Sequence, residues 1–262
     1  MSRTGRSGLT LVECLVVIAI IAILFGLLVA GVMQIREASL RIESTNNLRQ
    51  IILAVHHFSN EHQQQLPTID GKPPNLKISL PAALLPYIEQ GSALGQLQAN
   101  PNQFLLIKTF LSPADPTLEK ALAKPEASSY GSNAQVFQSN ARIPTSIPDG
   151  TSNTIGFAEH YAYCGVFFFG SFITSPGLGN WPHRATFADS SDLTPAIPVP
   201  PLTFQVLPRI SDCNYRLAQT PHIGGMLVAL MDGSTRQISP AINASTYWGA
   251  ITPDGDEVLD NW

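Results

Sequence analysis

Charge is scarce in this chain. Asp, Glu, Lys and Arg supply 13% of its 262 residues, about half the ~25% usual for soluble domains. The 15 basic residues against 19 acidic ones leave a formal charge of −4. That balance argues against general nucleic-acid binding, which usually needs a basic face. Proline is missing from Met1 to Leu66, so nothing there breaks a helix. No acidic residue precedes Glu13. Nucleophile and zinc spacings such as Gly-x-Ser-x-Gly and His-Glu-x-x-His are also missing, so the six histidines have no recognised catalytic setting. His56, His57 and His62 fall near the end of a helical pattern and read as solvated or packing residues. The chain does not read as an enzyme.

What is present is a run of 22 uncharged, mostly apolar residues, Cys14 to Ile35. At 1.5 Å per residue a helix of that length covers roughly 30 Å, the hydrocarbon thickness of a bilayer. Arg3 and Arg6 on its short N-terminal side place the first residues in the cytoplasm and everything after Arg36 outside. A secretory signal peptide has an apolar core of only about 7–15 residues. A plain signal anchor explains the run but not Glu13, a carboxylate at the entrance to the span. An unpaired charge at depth there costs about 2.5 kcal/mol or more, so Glu13 needs a partner.

The helical pattern continues beyond the membrane. Ile35, Ala38, Ile42, Thr45, Leu48, Ile52, Val55 and Phe58 recur every three or four residues and predict one apolar stripe. Arg36, Glu37, Arg41, Glu43 and Arg49 fall off it. One helix from Leu9 to Glu61 would be roughly 80 Å long. Gly26 and Gly31 are weak points within it, each costing about 1 kcal/mol relative to alanine, although glycine is also frequent in membrane helices. The remainder is long enough for one sizeable core. Leu84–Ile88 and Asn102–Leu111 suggest short helices. Ile155–Phe157, Val166–Phe169 and Leu202–Leu207 read as strands, and Pro195, Pro198, Pro200 and Pro201 as a surface loop. Asp232-Gly233 between Met226–Met231 and Ser234–Ile238 predicts a hairpin with a tight primed turn. The expected fold is therefore α+β: a long N-terminal helix packed against a globular head with antiparallel sheet.

Gly8-Leu9-Thr10-Leu11-Val12-Glu13 before an apolar helix resembles the cleavage and methylation segment of type IV pilins and type II secretion pseudopilins. The resemblance implies cleavage between Gly8 and Leu9 by a prepilin peptidase/methyltransferase, and N-methylation of Leu9. Leu9 replaces the usual phenylalanine. The resemblance also implies that the Glu13 carboxylate pairs with the Leu9 amine of a neighbouring subunit, setting register in a filament. Further along, Arg36-Glu37-Ala38, Asn46–Gln50, Phe110–Pro116, Asp149–Ile155 and Pro221-His222 through Ser234 occur in order. Together they resemble a large, mostly uncharacterised bacterial family of prepilin-like proteins, whose C-terminal hallmark is a His, nine residues and Asp-Gly. His222, Asp232 and Gly233 fit that hallmark.

The resulting domains are a leader at 1–8, a transmembrane and assembly part at 9–35, an outer helix part at 36–61 and a head at 62–262. The expected location is the inner membrane, single-pass with the head outside, or a periplasmic or surface filament. Expected partners are other pilin-like subunits and membrane lipid. Cys164 and Cys213 face an oxidising exterior, where they can form one disulfide or stay as two buried thiols. Their contexts are like those of the family, which favours pairing. Family cysteines at the positions of Ser44 and Ser112 are serines here. His222 with Asp232 invites an acid/base or metal reading, but a histidine beside a hairpin is more often structural. No cofactor is expected. Asp254-Gly255-Asp256-Glu257 offers oxygens to calcium or is a solvated acidic turn, and it lacks the twelve-residue calcium pattern. Two classes of function remain: a structural pilin-like subunit, or a monomeric membrane-anchored binding module. Trp181, Tyr247, Trp248 and Trp262 would serve such a module as contact residues, or are core or rim residues instead.

Overall fold

The computed structural model describes residues 10–69, 79–100, 105–121, 127–165, 167–170, 183–188, 203–255 and 262. Gly8, Leu9, Trp181, the prolines from 195 to 201, Asp256 and Glu257 lie outside them. The chain divides into two compact units, Met1–Leu40 and Arg41–Trp262.

The first unit holds most of helix α1 (Leu11–Glu61). Its apolar side chains face outward: Leu11, Phe25, Leu27 and Met33 are all more than 60% exposed. A helix apolar all round and covered by none of the described residues fits a membrane anchor.

In the second unit α1 becomes a core helix. Leu48, Ile51, Ile52, Ala54 and Val55 are fully buried, at the spacing of one helix face. The predicted stripe therefore needs correction at its N-terminal end. Ile35, Ala38 and Ile42 are exposed, and burial begins at Ser44. Periodicity marks a face but not how far along the helix something packs on it. At the other end the Phe58 ring stacks on His62 at 4.0 Å. The Tyr87 hydroxyl donates to Glu61 Oε2 at 2.6 Å, and burial with that nearby carboxylate pushes the phenol up to about 12.

Helix α2 (Leu80–Leu84) runs into a 3-10 turn at Leu85–Ile88, followed by α3 (Gly91–Ala99). The described part of the predicted 102–111 helix is only a 3-10 turn, Lys108–Phe110. After it comes α4 (Leu118–Ala121). The strands are β1 (Tyr130–Asn133), β2 (Ile155–Glu159), β3 (Tyr163–Cys164), β4 (Phe167–Gly170), β5 (His183–Arg184), β6 (Thr186–Phe187), β7 (Gln205–Val206), β8 (Gln219–Thr220), β9 (Met226–Leu230) and β10 (Thr235–Ile238). Helix α5 (Ala244–Gly249) follows, capped by Asn243, whose side chain accepts from the Ser245 N–H.

The main sheet has the order β10-β9-β2-β1-β6. Every pairing in it is antiparallel except β1 with β6. The fold is thus a long N-terminal helix and an α+β domain with a mostly antiparallel sheet. Both faces of β2 and β9 are buried. Phe157, Leu227 and Ala229 belong to the same apolar cluster as the α1 residues. Val228, Leu230 and Ile155 join Tyr247, Trp248 and Ile251 in a second cluster. That alternation is why β2 and β9 read as unbroken apolar runs.

The Asp232-Gly233 hairpin forms, with Thr235 opposite Ala229. Its turn is not a two-residue primed one. The Gly233 N–H donates to the Leu230 carbonyl, the Leu230 N–H donates to the Ser234 carbonyl, and only Gly233, at φ 91°, takes the left-handed conformation. This is the three-residue loop with glycine at its last position, the other solution to the strand twist.

Candidate functional site

Among the described residues, two regions carry polar groups in organised settings. The first is the start of α1. Thr10 is the N-cap: its N–H and Oγ1 donate to Glu13 Oε2 at 2.8 and 2.9 Å, and the Glu13 N–H donates back to Thr10 Oγ1 at 3.3 Å. This reciprocal pattern is a capping box, which satisfies two helix donors left without intrahelical partners. Glu13 therefore has a local partner as well as the intermolecular one expected of it. Thr10 is a functional residue absent from the expected site. Its signal, Thr-x-x-Glu before an apolar run, is legible.

The second region lies inside the head. Asp115, from the Phe110–Pro116 motif, is buried and accepts four hydrogen bonds. Oδ1 takes the Thr117 N–H at 2.8 Å and the Thr117 hydroxyl at 2.6 Å, while Oδ2 takes the Ser129 hydroxyl at 2.7 Å and the Ala162 N–H at 2.9 Å. Burial pushes its carboxyl up, against these donors. The carboxylate ties its own loop to the segment entering β1 and to the one entering β3.

His222 meets Glu159 rather than Asp232. Its Nε2 lies 3.3 Å from Glu159 Oε1, with both side chains at most 2% exposed. Glu159 Oε2 accepts from Thr220 Oγ1 at 2.6 Å and from the Leu227 N–H at 3.0 Å. Asp232 is exposed and caps its own turn by accepting the Ser234 N–H at 2.8 Å. The His-x9-Asp-Gly spacing therefore joins two separate devices, a buried contact with β2 before β9 and a turn cap after it, not one acid/base pair. His160 is also buried, with Nδ1 2.8 Å from the Tyr161 carbonyl oxygen and Nε2 3.3 Å from that of Tyr215. Desolvation pushes its imidazole down to about 4. Among the described residues no three His, Cys, Asp or Glu side chains are grouped to hold a metal ion.

Cys164 and Cys213 are bridged, with Cα atoms 5.4 Å apart, and Cys14 is a free thiol. Ser44 and Ser112, where the resemblance implies cysteines, are buried with hydroxyl oxygens 2.7 Å apart. Tyr247 and Trp248 are core residues, and Trp262 lies against Arg236 at 4.6 Å. The first two are closed to any ligand.

Two family models match the chain. The prokaryotic N-terminal methylation motif covers residues 3–29. The family described as protein of unknown function (DUF1559) covers residues 33–145. Both matches are consistent with a type IV pilin-like protein. In a pilin-like chain the apolar part of α1 has a reason to be bare, and the methylation motif implies processing by a prepilin peptidase and assembly with other pilin subunits. Pilin-like families are structural rather than enzymatic. Neither match reaches His222 or Asp232. No curated protein and no solved structure matches the chain.

Proposed function

We propose that this pilin-like chain is a structural subunit stored in the inner membrane with its head outside, cleaved between Gly8 and Leu9, methylated at Leu9, and assembled through α1 into a pilus or a secretion pseudopilus. The observation that carries this reading is the bare apolar stretch of α1 with one carboxylate, Glu13, at its entrance, inside the methylation motif. The bonds within the capping box use Glu13 Oε2. In the filament, Oε1 meets the Leu9 ammonium of a neighbouring subunit. A buried carboxylate without that amine is strongly destabilising, so cleavage, which creates the amine, licenses assembly.

Glu13→Ala is expected to insert and be cleaved but to disappear from sheared filaments. Incorporation of the variant at the wild-type level would overturn the reading. Function retained with an unrelated transmembrane anchor in place of 9–35 would favour the tethered binding module.

A further inference from the structure

The loop between β8 and β9 presents an isoleucine to solvent on a rigid mount. Ile223 is 72% exposed. It sits at the tip of a turn closed by the Gly225 N–H donating to the His222 carbonyl at 3.1 Å. On one side of it the buried His222 places its Nε2 3.3 Å from Glu159 Oε1. On the other side Gly225, at φ +124°, accepts from Gln237 Nε2 at 3.1 Å, and a β-carbon there would lie 2.0 Å from the Ile238 carbonyl oxygen. Ile223 is thus a large apolar side chain on a turn with a buried histidine at one end and a position open only to glycine at the other.

The hairpin that follows runs along α1. A β-carbon on Gly224 would lie 3.7 Å from an Arg41 guanidinium nitrogen, whereas one on Gly233, at the opposite end of the hairpin, would lie 3.7 Å from His56 Nε2. The Ile223 turn thus belongs to the end of the head from which the chain leaves toward its apolar run. Ile42, beside Arg41, is also 62% exposed. Arg41 lies six positions after Ile35, the last residue of that run, and even a fully extended chain spans only about 20 Å over six positions.

We infer that the Ile223 turn docks into the outer interface of the bilayer while the subunit is stored there. This rests on the membrane-anchor reading of α1. The turn seats the head against the lipid, and extraction into a filament releases it. Interfacial binding of this kind grows with the apolar area inserted.

The test uses the full chain in phosphatidylethanolamine/phosphatidylglycerol vesicles, with Cys14→Ser and a nitroxide on Ile223→Cys or, as control, on Ser234→Cys at the far end of the same hairpin. The expected result is an oxygen-to-nickel-chelate accessibility ratio several-fold higher at 223 than at 234. Equal ratios in carbonate-resistant protein would overturn the docking but leave the anchor standing. Release of the protein by carbonate would remove the anchor and the docking with it. A high ratio at 223 that vanishes on dilution to one protomer per vesicle would assign the turn to a second copy, and would equally overturn the inference.

Discussion

Two buried side chains set how the head responds to substitution and to acid. Asp115 accepts four hydrogen bonds from three stretches of chain. Asp115→Asn puts a donating amide against two of those donors, so a loss of about 3 kcal/mol is expected in urea unfolding, the scale of a broken buried charge network. His160 works through pH. Its folded value of about 4 lies below the ordinary histidine value of 6.5, so its contribution is fully present above pH 6.5 and is lost as the pH falls toward 4. The span corresponds to about 3 kcal/mol. Asp115, pushed up by burial, acts in the opposite sense, so the histidine is isolated by difference: His160→Gln should flatten the fall between pH 6.5 and 4 relative to wild type. Neither role was legible in the sequence. The partners of Asp115 include Ala162, and those of His160 include Tyr215; only the fold brings them together. Thr10 with Glu13 is the contrary case, a local motif readable at a glance of four residues.

Elements whose signals are local were the readable ones. The long helix, β2 and β9 follow from apolar patterning, and the hairpin follows from Asp232-Gly233. Its loop length did not, because a primed two-residue turn and a three-residue loop ending in glycine use the same dipeptide. The exposure of Ile42 was likewise hidden, since the stripe continues past the point where packing stops. Between elements, Ser44 on α1 and Ser112 after the 3-10 turn at 108–110 share a hydrogen bond at 2.7 Å. That separation places their side chains close enough for a covalent bridge with small backbone adjustment. The double variant Ser44→Cys/Ser112→Cys should oxidise spontaneously outside the cell and raise unfolding stability by up to about 4 kcal/mol, the loop-closure value for a separation of this size. Mass spectrometry after alkylation, and unfolding with and without reductant, check both parts.

At the scale of the whole molecule, the chain spends its apolar residues in two ways. One set forms an α+β head closed by the Cys164–Cys213 bridge. The other covers the N-terminal stretch of α1, which none of the described residues buries. An isolated subunit with that surface is at home only in lipid or among copies of itself, and a carboxylate at the membrane entrance suits the second setting better than the first. The sequence carried this architecture because a membrane span and a processing motif are contiguous signals, whereas the packing of the head depends on contacts between distant segments. Mass spectrometry of the amino terminus, on protein from membranes and from sheared surface material, is the most direct test. Assembly after processing predicts chains beginning at a methylated Leu9 in the sheared fraction; intact Met1, confined to membranes, would contradict it.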